Sequence, residues 1–381
     1  MFSDRAAWPL KPNELARLLA QKCAPGAQII DLTESNPTRA GFDYPDEIFQ
    51  ALAGRGSLLY EPSPRGYEAA RAAVAAGHGV SAERVFLTAS TSEAYSYLFK
   101  LLLNPGDRVL TPRPSYPLIE FLAKLECAAM DQYPLRYDGA WRIDFHQLEA
   151  MLTPQTRAIV VVNPNNPTGS YLKRGETEKL AAICASLGMA LISDEVFSAY
   201  PLDAPPDAVP SLAGVECGLA VALNGLSKCA GLPQMKAGWM ILGGEDKLWR
   251  DAAARLELIA DTFLSVSAPV QMALPELLRL GASVRKQIRE RTRGNLEWLR
   301  KQCEPMVVEG GWYAVLPLPD SAAEERFVIS LLVEDDVLVQ PGFFFDFSGE
   351  GCVVLSLLTK PETFREGVAR VKRKVGGAGR L

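Results

Sequence analysis

The chain has 381 residues, a formal charge of −5, and 48% hydrophobic and 22% charged residues. That length exceeds one ordinary core and predicts two packed domains, in a composition typical of globular proteins. The acidic balance offers nucleic acid no basic face, no apolar run approaches the roughly 20 residues that cross a bilayer, and Met1–Leu10 lacks a signal-peptide core. Seven cysteines without a CxxC pair argue against a disulfide framework or a zinc site and fit a reducing cytoplasm. Only two histidines, His78 and His146, are present, both in polar contexts, so proton transfer has to rest mainly on another group.

In chain order, a helix is expected over Asn13–Lys22, followed by short apolar runs that read as buried strands: Arg84–Thr88, Asp107–Thr111, Ala158–Val162, Ala190–Ser193, Leu219–Leu223 and Gly238–Leu242. Leu180, Ile183, Cys184 and Leu187 repeat at helical spacing before the fourth of these. The alternation predicts an α/β fold, a mostly parallel sheet covered by helices on both faces. Past Pro275 the pattern changes. Val284, Ile288, Leu296 and Leu299 mark a long basic helix, and Val307–Val315 and Val353–Leu357 read as strands of a smaller α+β domain. The expected division is a large domain over 44–275 and a small one built from 1–43 and 276–381. The Pro-rich stretch 201–210 reads as a surface loop.

Ligands of such sheets bind beyond the carboxyl ends of the strands, and four candidate segments fall there. Lys228 stands in a small-residue turn, Asn224-Gly225-Leu226-Ser227-Lys228, with Lys236 eight residues on. Asp194 ends an apolar strand, and Asn166 lies in Asn163-Pro164-Asn165-Asn166-Pro167-Thr168-Gly169. An acid, an asparagine-rich turn and a turn-borne lysine suit pyridoxal phosphate (PLP). The lysine holds the aldehyde as a Schiff base, the acid pairs with the pyridine nitrogen, and the Asn166 amide faces the 3′-oxygen. Ser90, Thr91 and Ser92 begin a helix, where hydroxyls and free N–H groups suit a phosphate; Ser90 and Glu93 also read as a plain capping box. Lys236 offers that phosphate a cation, and Tyr116 offers the pyridine ring a stacking face. Trp312, Tyr313 and Phe343–Phe345 read either as an aromatic pocket wall or as core.

The ordered set Tyr60…Gly66, Thr88–Ala94, Pro105-Gly106-Asp107, Asn166–Gly169, Asp194-Glu195-Val196 and Ser227-Lys228…Gly238 resembles the class I/II aminotransferases, PLP enzymes of fold type I. The resemblance spans about residues 30–360. It implies a homodimer whose active sites lie at the subunit interface, with Tyr60 reaching the partner's phosphate. It also implies a small-molecule amino donor and an oxo-acid acceptor. A lyase, decarboxylase or cyclase on the same fold, or a non-catalytic PLP-binding protein, are the alternative readings.

Three positions depart from the family pattern. Phe197 stands where the family has a tyrosine bonded to the 3′-oxygen, which should raise the pKa of the Schiff base. Lys236 stands where the family favours arginine, a charge without the bidentate fork, which should weaken the hold on the cofactor. Val354 takes the place of the arginine that grips the substrate α-carboxylate, leaving Asn36 and Arg39 as the substitute candidates and placing ordinary α-amino acid substrates in question.

Overall fold

The computed structural model describes all residues except 25, 27, 320–323, 350 and 379–381. Among the described residues thirteen strands follow in chain order: β1 (Ile30–Asp31), β2 (Val85–Thr88), β3 (Arg108–Arg113), β4 (Ala129–Tyr137), β5 (Trp141–Ile143), β6 (Thr156–Val162), β7 (Ala190–Asp194), β8 (Leu219–Gly225), β9 (Gly238–Gly244), β10 (Tyr313–Pro317), β11 (Val337–Leu338), β12 (Gln340–Pro341) and β13 (Cys352–Ser356). Eight of them form one sheet in the order β2-β9-β8-β7-β6-β3-β4-β5. Strands β8, β7, β6, β3 and β4 run parallel, while β9 is antiparallel to both β8 and β2. Two antiparallel steps restore the direction, so β2 ends on the same edge as β6, β7 and β8. All four candidate segments therefore meet at that edge.

Period-two alternation builds the two faces. Val109, Val160, Ile192, Val221 and Met240 pack against helices Thr91–Leu102, Leu118–Leu125 and Asp246–Asp261. Leu110, Ile159, Val161, Leu191 and Ala220 pack against helix Arg174–Leu187, which buries Leu180 and Cys184. These strands are apolar on both sides because both sides are covered.

The second body pairs β10 and β12 with β13, antiparallel, and β1 with β11, parallel. Leu32, Leu316, Val328, Leu355, Phe364 and Val368 form its core. Helix Glu14–Cys23 is capped by Asn13, whose Oδ1 accepts the Ala16 N–H at 2.8 Å, and Lys22 donates to Leu332 O. The N-terminus thus joins the C-terminal part.

Residue 275, where the larger unit is expected to end, lies inside a single helix, Ala268–Arg300. Its Leu274 and Leu277 pack on the large sheet, Val284 and Ile288 in an aromatic cluster, and Leu296 and Leu299 in the small core. The strand expected over 307–315 begins only at Tyr313. Upstream backbone is drawn away instead, with Leu202 N–H donating to Glu309 O and Gly311 N–H to Tyr200 O, both at 2.9 Å.

Candidate active site

Lys228 lies in a four-residue helix, Leu226–Cys229, between the end of β8 and the return into β9. Leu226, Cys229, Ala230 and Leu232 all bury in the large core, which fixes the turn that carries Ser227 and Lys228. The turn closes tightly. A Cβ on Gly225 would lie 2.9 Å from Gly238 Cα, and one on Gly238 3.0 Å from the Ser90 carbonyl carbon and 3.2 Å from Thr91 N. Two glycines therefore bring the lysine turn, β9 and the N-terminus of helix Thr91–Leu102 together. The Tyr200 hydroxyl donates to the Lys228 carbonyl. The Lys228 Nζ lies 4.8 Å from the Trp312 ring centroid and 5.6 Å from that of Phe197.

Asp194 ends β7 between Val162 and Leu223. Its carboxylate accepts the Tyr95 hydroxyl at 3.2 Å and the Val196 N–H at 3.3 Å. Burial pushes it up to about 6, opposed by those two bonds and by the Lys228 charge. Burial pushes the Lys228 amine down to about 8, opposed by Asp194. Each group thus senses the other across the site, and the lysine is brought within reach of its neutral, nucleophilic form at neutral pH.

Of the three asparagines in the 163–169 turn, two hold the turn itself. Asn163 donates to Val209 O at 2.7 Å and accepts from Leu172 N–H at 2.9 Å, and Asn165 donates to Pro114 O at 3.0 Å and to Thr168 Oγ at 2.9 Å. Asn166 differs: its side-chain oxygen is buried and has no partner. A buried acceptor in that state calls for a donor from outside the chain, and the side chain is held by no bond within the turn.

Ser90 is the N-cap of helix Thr91–Leu102. Its Oγ accepts Glu93 N–H at 3.2 Å, the cap half of the expected box, whereas Glu93 reaches one residue further back and accepts Ala89 N–H at 2.6 Å. Thr91 and Ser92 are half-buried at the same terminus. Lys236 is exposed, in a left-handed turn at φ +50° just before β9. Burial pushes the Tyr313 hydroxyl up to about 12, opposed by a hydrogen bond with Ser35 and reinforced by the charges of Glu34 and of Tyr116, itself half exposed. The bond with Ser35 brings the 34–39 loop beside the aromatic cluster. Within the loop, Asn36 Oδ1 is taken by Thr38, through its N–H at 3.1 Å and its hydroxyl at 2.7 Å, and Arg39 is exposed. Tyr60 is exposed on the surface segment before Gly66.

Val354 is fully buried in an apolar cluster with Phe197, Trp312, Tyr313, Val315 and Phe345. Phe345 thus belongs to the core, whereas Phe343 is exposed. Sequence reasoning missed Tyr95 and Tyr200. It also missed Arg291, whose guanidinium stacks 4.6 Å over Phe42 of this cluster and donates to Ala40 O and Leu358 O at 3.1 Å.

These residues fit PLP. The Asn166 side chain left over by its turn, the cradle that Gly238 opens at Ser90 and Thr91, and the coupled Lys228 and Asp194 pair would offer a polar partner, a phosphate site, an attachment point and an acid. A model of the family described as aminotransferase class I and II matches residues 27–371. The chain belongs to the class I and II aminotransferases. It is therefore a PLP-dependent enzyme that moves an amino group between an amino compound and an oxo acid.

This aminotransferase is 29% identical to an arginine–pyruvate transaminase of Pseudomonas aeruginosa, over 96% of the chain and 93% of the relative. It is 26% identical to a glutamate–pyruvate aminotransferase of Haemophilus influenzae, over 91% of each. Among solved structures, an alanine aminotransferase from Pyrococcus furiosus superposes with a TM-score of 0.86 at 22% identity, over 99% of this chain and all of that one. An aspartate aminotransferase from Thermotoga maritima gives 0.84 at 24% identity, over 98% and 100%. Both superpositions concern the fold, which is that of type I PLP enzymes.

Proposed function

We propose that Lys228 is the residue that would carry the cofactor and that its amine, when free, would hold and move the proton of the substrate α-carbon. The mutual influence of Lys228 and Asp194 carries this reading: a lysine held near neutrality faces an acid that burial alone would discharge. When bound, PLP supplies the electron sink. Asp194, anchored by Tyr95, would pair with the pyridine nitrogen, and the Asn166 amide N–H would donate to the 3′-oxygen. Ser90, Thr91 and Ser92, through hydroxyls and helix N–H groups, would hold the phosphate together with Lys236. Tyr116 would offer the ring a stacking face. With only two histidines in the chain, the Lys228 amine is the proton carrier best placed for the transfer.

The enzyme works as a homodimer in the cytoplasm, with Tyr60 reaching the partner's phosphate. In support, Phe49, Leu58, Leu59, Tyr60 and Met272 expose apolar surface on neighbouring elements, with Gly56 packed under the Met272 side chain.

The substrate departs from the ordinary α-amino acid grip. Val354 sits where the family's arginine would stand, walled in by aromatic and aliphatic side chains, and a carboxylate there would be desolvated without a charged partner. Asn36 and Arg39, on the loop beside Tyr313, are the groups that remain for the substrate. The deciding experiment is a visible absorption scan of the purified protein titrated in parallel with α-amino acids and with amines lacking a carboxylate. Conversion of the cofactor spectrum by the amines alone supports the changed substrate class. Equal conversion by α-amino acids refutes it and makes Arg39→Ala the next variant.

A further inference from the structure

Lys173 breaks the local rules of the helix it begins. It is the N-cap of Arg174–Leu187, a position that favours an acceptor oxygen and, through the helix dipole, negative charge. A lysine supplies neither, and Glu176 closes the cap alone by accepting the Lys173 N–H at 2.9 Å. The side chain turns inward and is 4% exposed. Its ammonium meets both Glu309 carboxylate oxygens at 2.9 Å, Tyr171 O at 2.8 Å and Trp141 O at 3.3 Å. Glu309, equally buried, also accepts the Tyr171 N–H at 2.7 Å. Burying two charges is a poor route to stability, so a sequence that places a lysine at an N-cap for this purpose calls for another account.

The surroundings of the pair supply one. Past Glu309, whose carbonyl accepts Leu202 and Asp203 N–H, Gly310 has no room for a side chain. A Cβ there would lie 2.7 Å from the Tyr171 ring, and one on Gly169, at the end of the Asn166 turn, 2.5 Å from Gly310 O. Gly311 N–H donates to Tyr200 O at 2.9 Å, and Trp312 O accepts Leu357 N–H at 2.7 Å. Segment 309–312 is thus wedged between the Asn166 turn and the 200–203 strip. The ion pair lies at one end, and the indole that faces Lys228 lies at the other.

We propose that Lys173 and Glu309 are positioning residues for the catalytic lysine. Their ion pair fixes Glu309–Trp312 to the Asn166 turn and thereby sets the Trp312 ring against Lys228 Nζ. Neither residue touches the cofactor site; both act through Trp312. The inference rests on Lys228 as the cofactor-bearing residue.

The test compares wild type, Glu309→Gln, Trp312→Leu and the double variant as purified holoenzymes. It follows the pH titration of the cofactor absorbance, kcat and KM, and Tm. Glu309→Gln keeps one acceptor oxygen for Tyr171 but removes the charge and one of the two oxygens that meet the Lys173 ammonium. Each single variant is expected to move the titration midpoint in the same direction by about half a pH unit or more. Each should also lower kcat by about tenfold with a smaller change in KM. The double variant should move no further than Trp312→Leu, because both act through one ring. A lower Tm in Glu309→Gln with wild-type midpoint and kcat would overturn the proposal, as would additive shifts in the double variant. If Glu309→Gln does not fold, Lys173→Met combined with Glu309→Leu replaces the whole pair by apolar groups and is read in the same way. Borohydride fixation followed by peptide mapping separates the two levels of failure. Label away from Lys228 sinks the assignment of the lysine, whereas label on Lys228 with an inert Glu309→Gln sinks the positioning role alone.

Discussion

Replacing Asp194 by asparagine should make the cofactor-free protein more stable while disabling the holoenzyme. Burial holds the carboxyl at about 6 against an ordinary 3.8. Two pKa units at 1.36 kcal/mol each put the cost of keeping it charged at about 3 kcal/mol. The folded-state pKa is raised, so the ionised form is the disfavoured one. The cost is full above about 6 and fades as the pH falls through 6 towards 3.8. Asparagine is uncharged and of similar shape, and the bonds from Tyr95 and Val196 are already contained in that shift. The gain is about 3 kcal/mol at pH 8 and about half that at pH 5. Thermal melts of wild type and Asp194→Asn, both freed of cofactor by dialysis against a carbonyl reagent, read this at the two pH values. With cofactor restored, loss of the pyridine partner should cut kcat by on the order of a hundredfold. A variant that is destabilised at pH 8, or that shows the same difference at both pH values, would refute the reasoning.

Phe197→Tyr returns a hydroxyl to the ring packed 5.2 Å from Trp312, and should lower the pH midpoint of the cofactor absorbance. The same midpoint in both proteins rules that out. Lys236→Arg should slow cofactor loss on dialysis by severalfold, because a fork replaces a point charge; an unchanged rate counts against Lys236 at the phosphate. Val354→Arg puts a guanidinium into the cluster of Phe197, Trp312 and Tyr313 and should cost about 3 kcal/mol or more, seen as a fall in Tm. An unaltered Tm would mean that the family's arginine still finds its place there.

The sequence carried the edge of the sheet where the site lies, because strands buried on both faces leave long apolar runs and each run stops at a polar turn. Lys228, Asp194 and the asparagine turn were legible for that reason. The sequence pointed to Asn166 within that turn, but not to what occupies its neighbours: the bonds to Val209, Leu172, Pro114 and Thr168 that hold Asn163 and Asn165 and leave Asn166 over. Tyr95 meets Asp194 across 99 residues and Glu309 meets Lys173 across 136, separations at which a single sequence has no periodic signal. Pro275, where the sequence pattern changes, lies inside a continuous helix, because the flanking Leu274 and Leu277 both pack into the large core and this packing carries the helix through the proline. Arg39, singled out because it follows Asn36-Pro37, lies exposed, whereas Arg291 reaches the cluster from a helix that drew attention only for its apolar face.

The central claim is that one lysine carries the cofactor. Borohydride reduction of the purified holoenzyme, followed by proteolysis and mass spectrometry, locates that lysine directly. The account predicts a pyridoxyl group on the peptide containing Lys228, and none once an amino donor has converted the cofactor. A group on Lys236 or any other lysine, or none anywhere in a protein that still transfers amino groups, would contradict it.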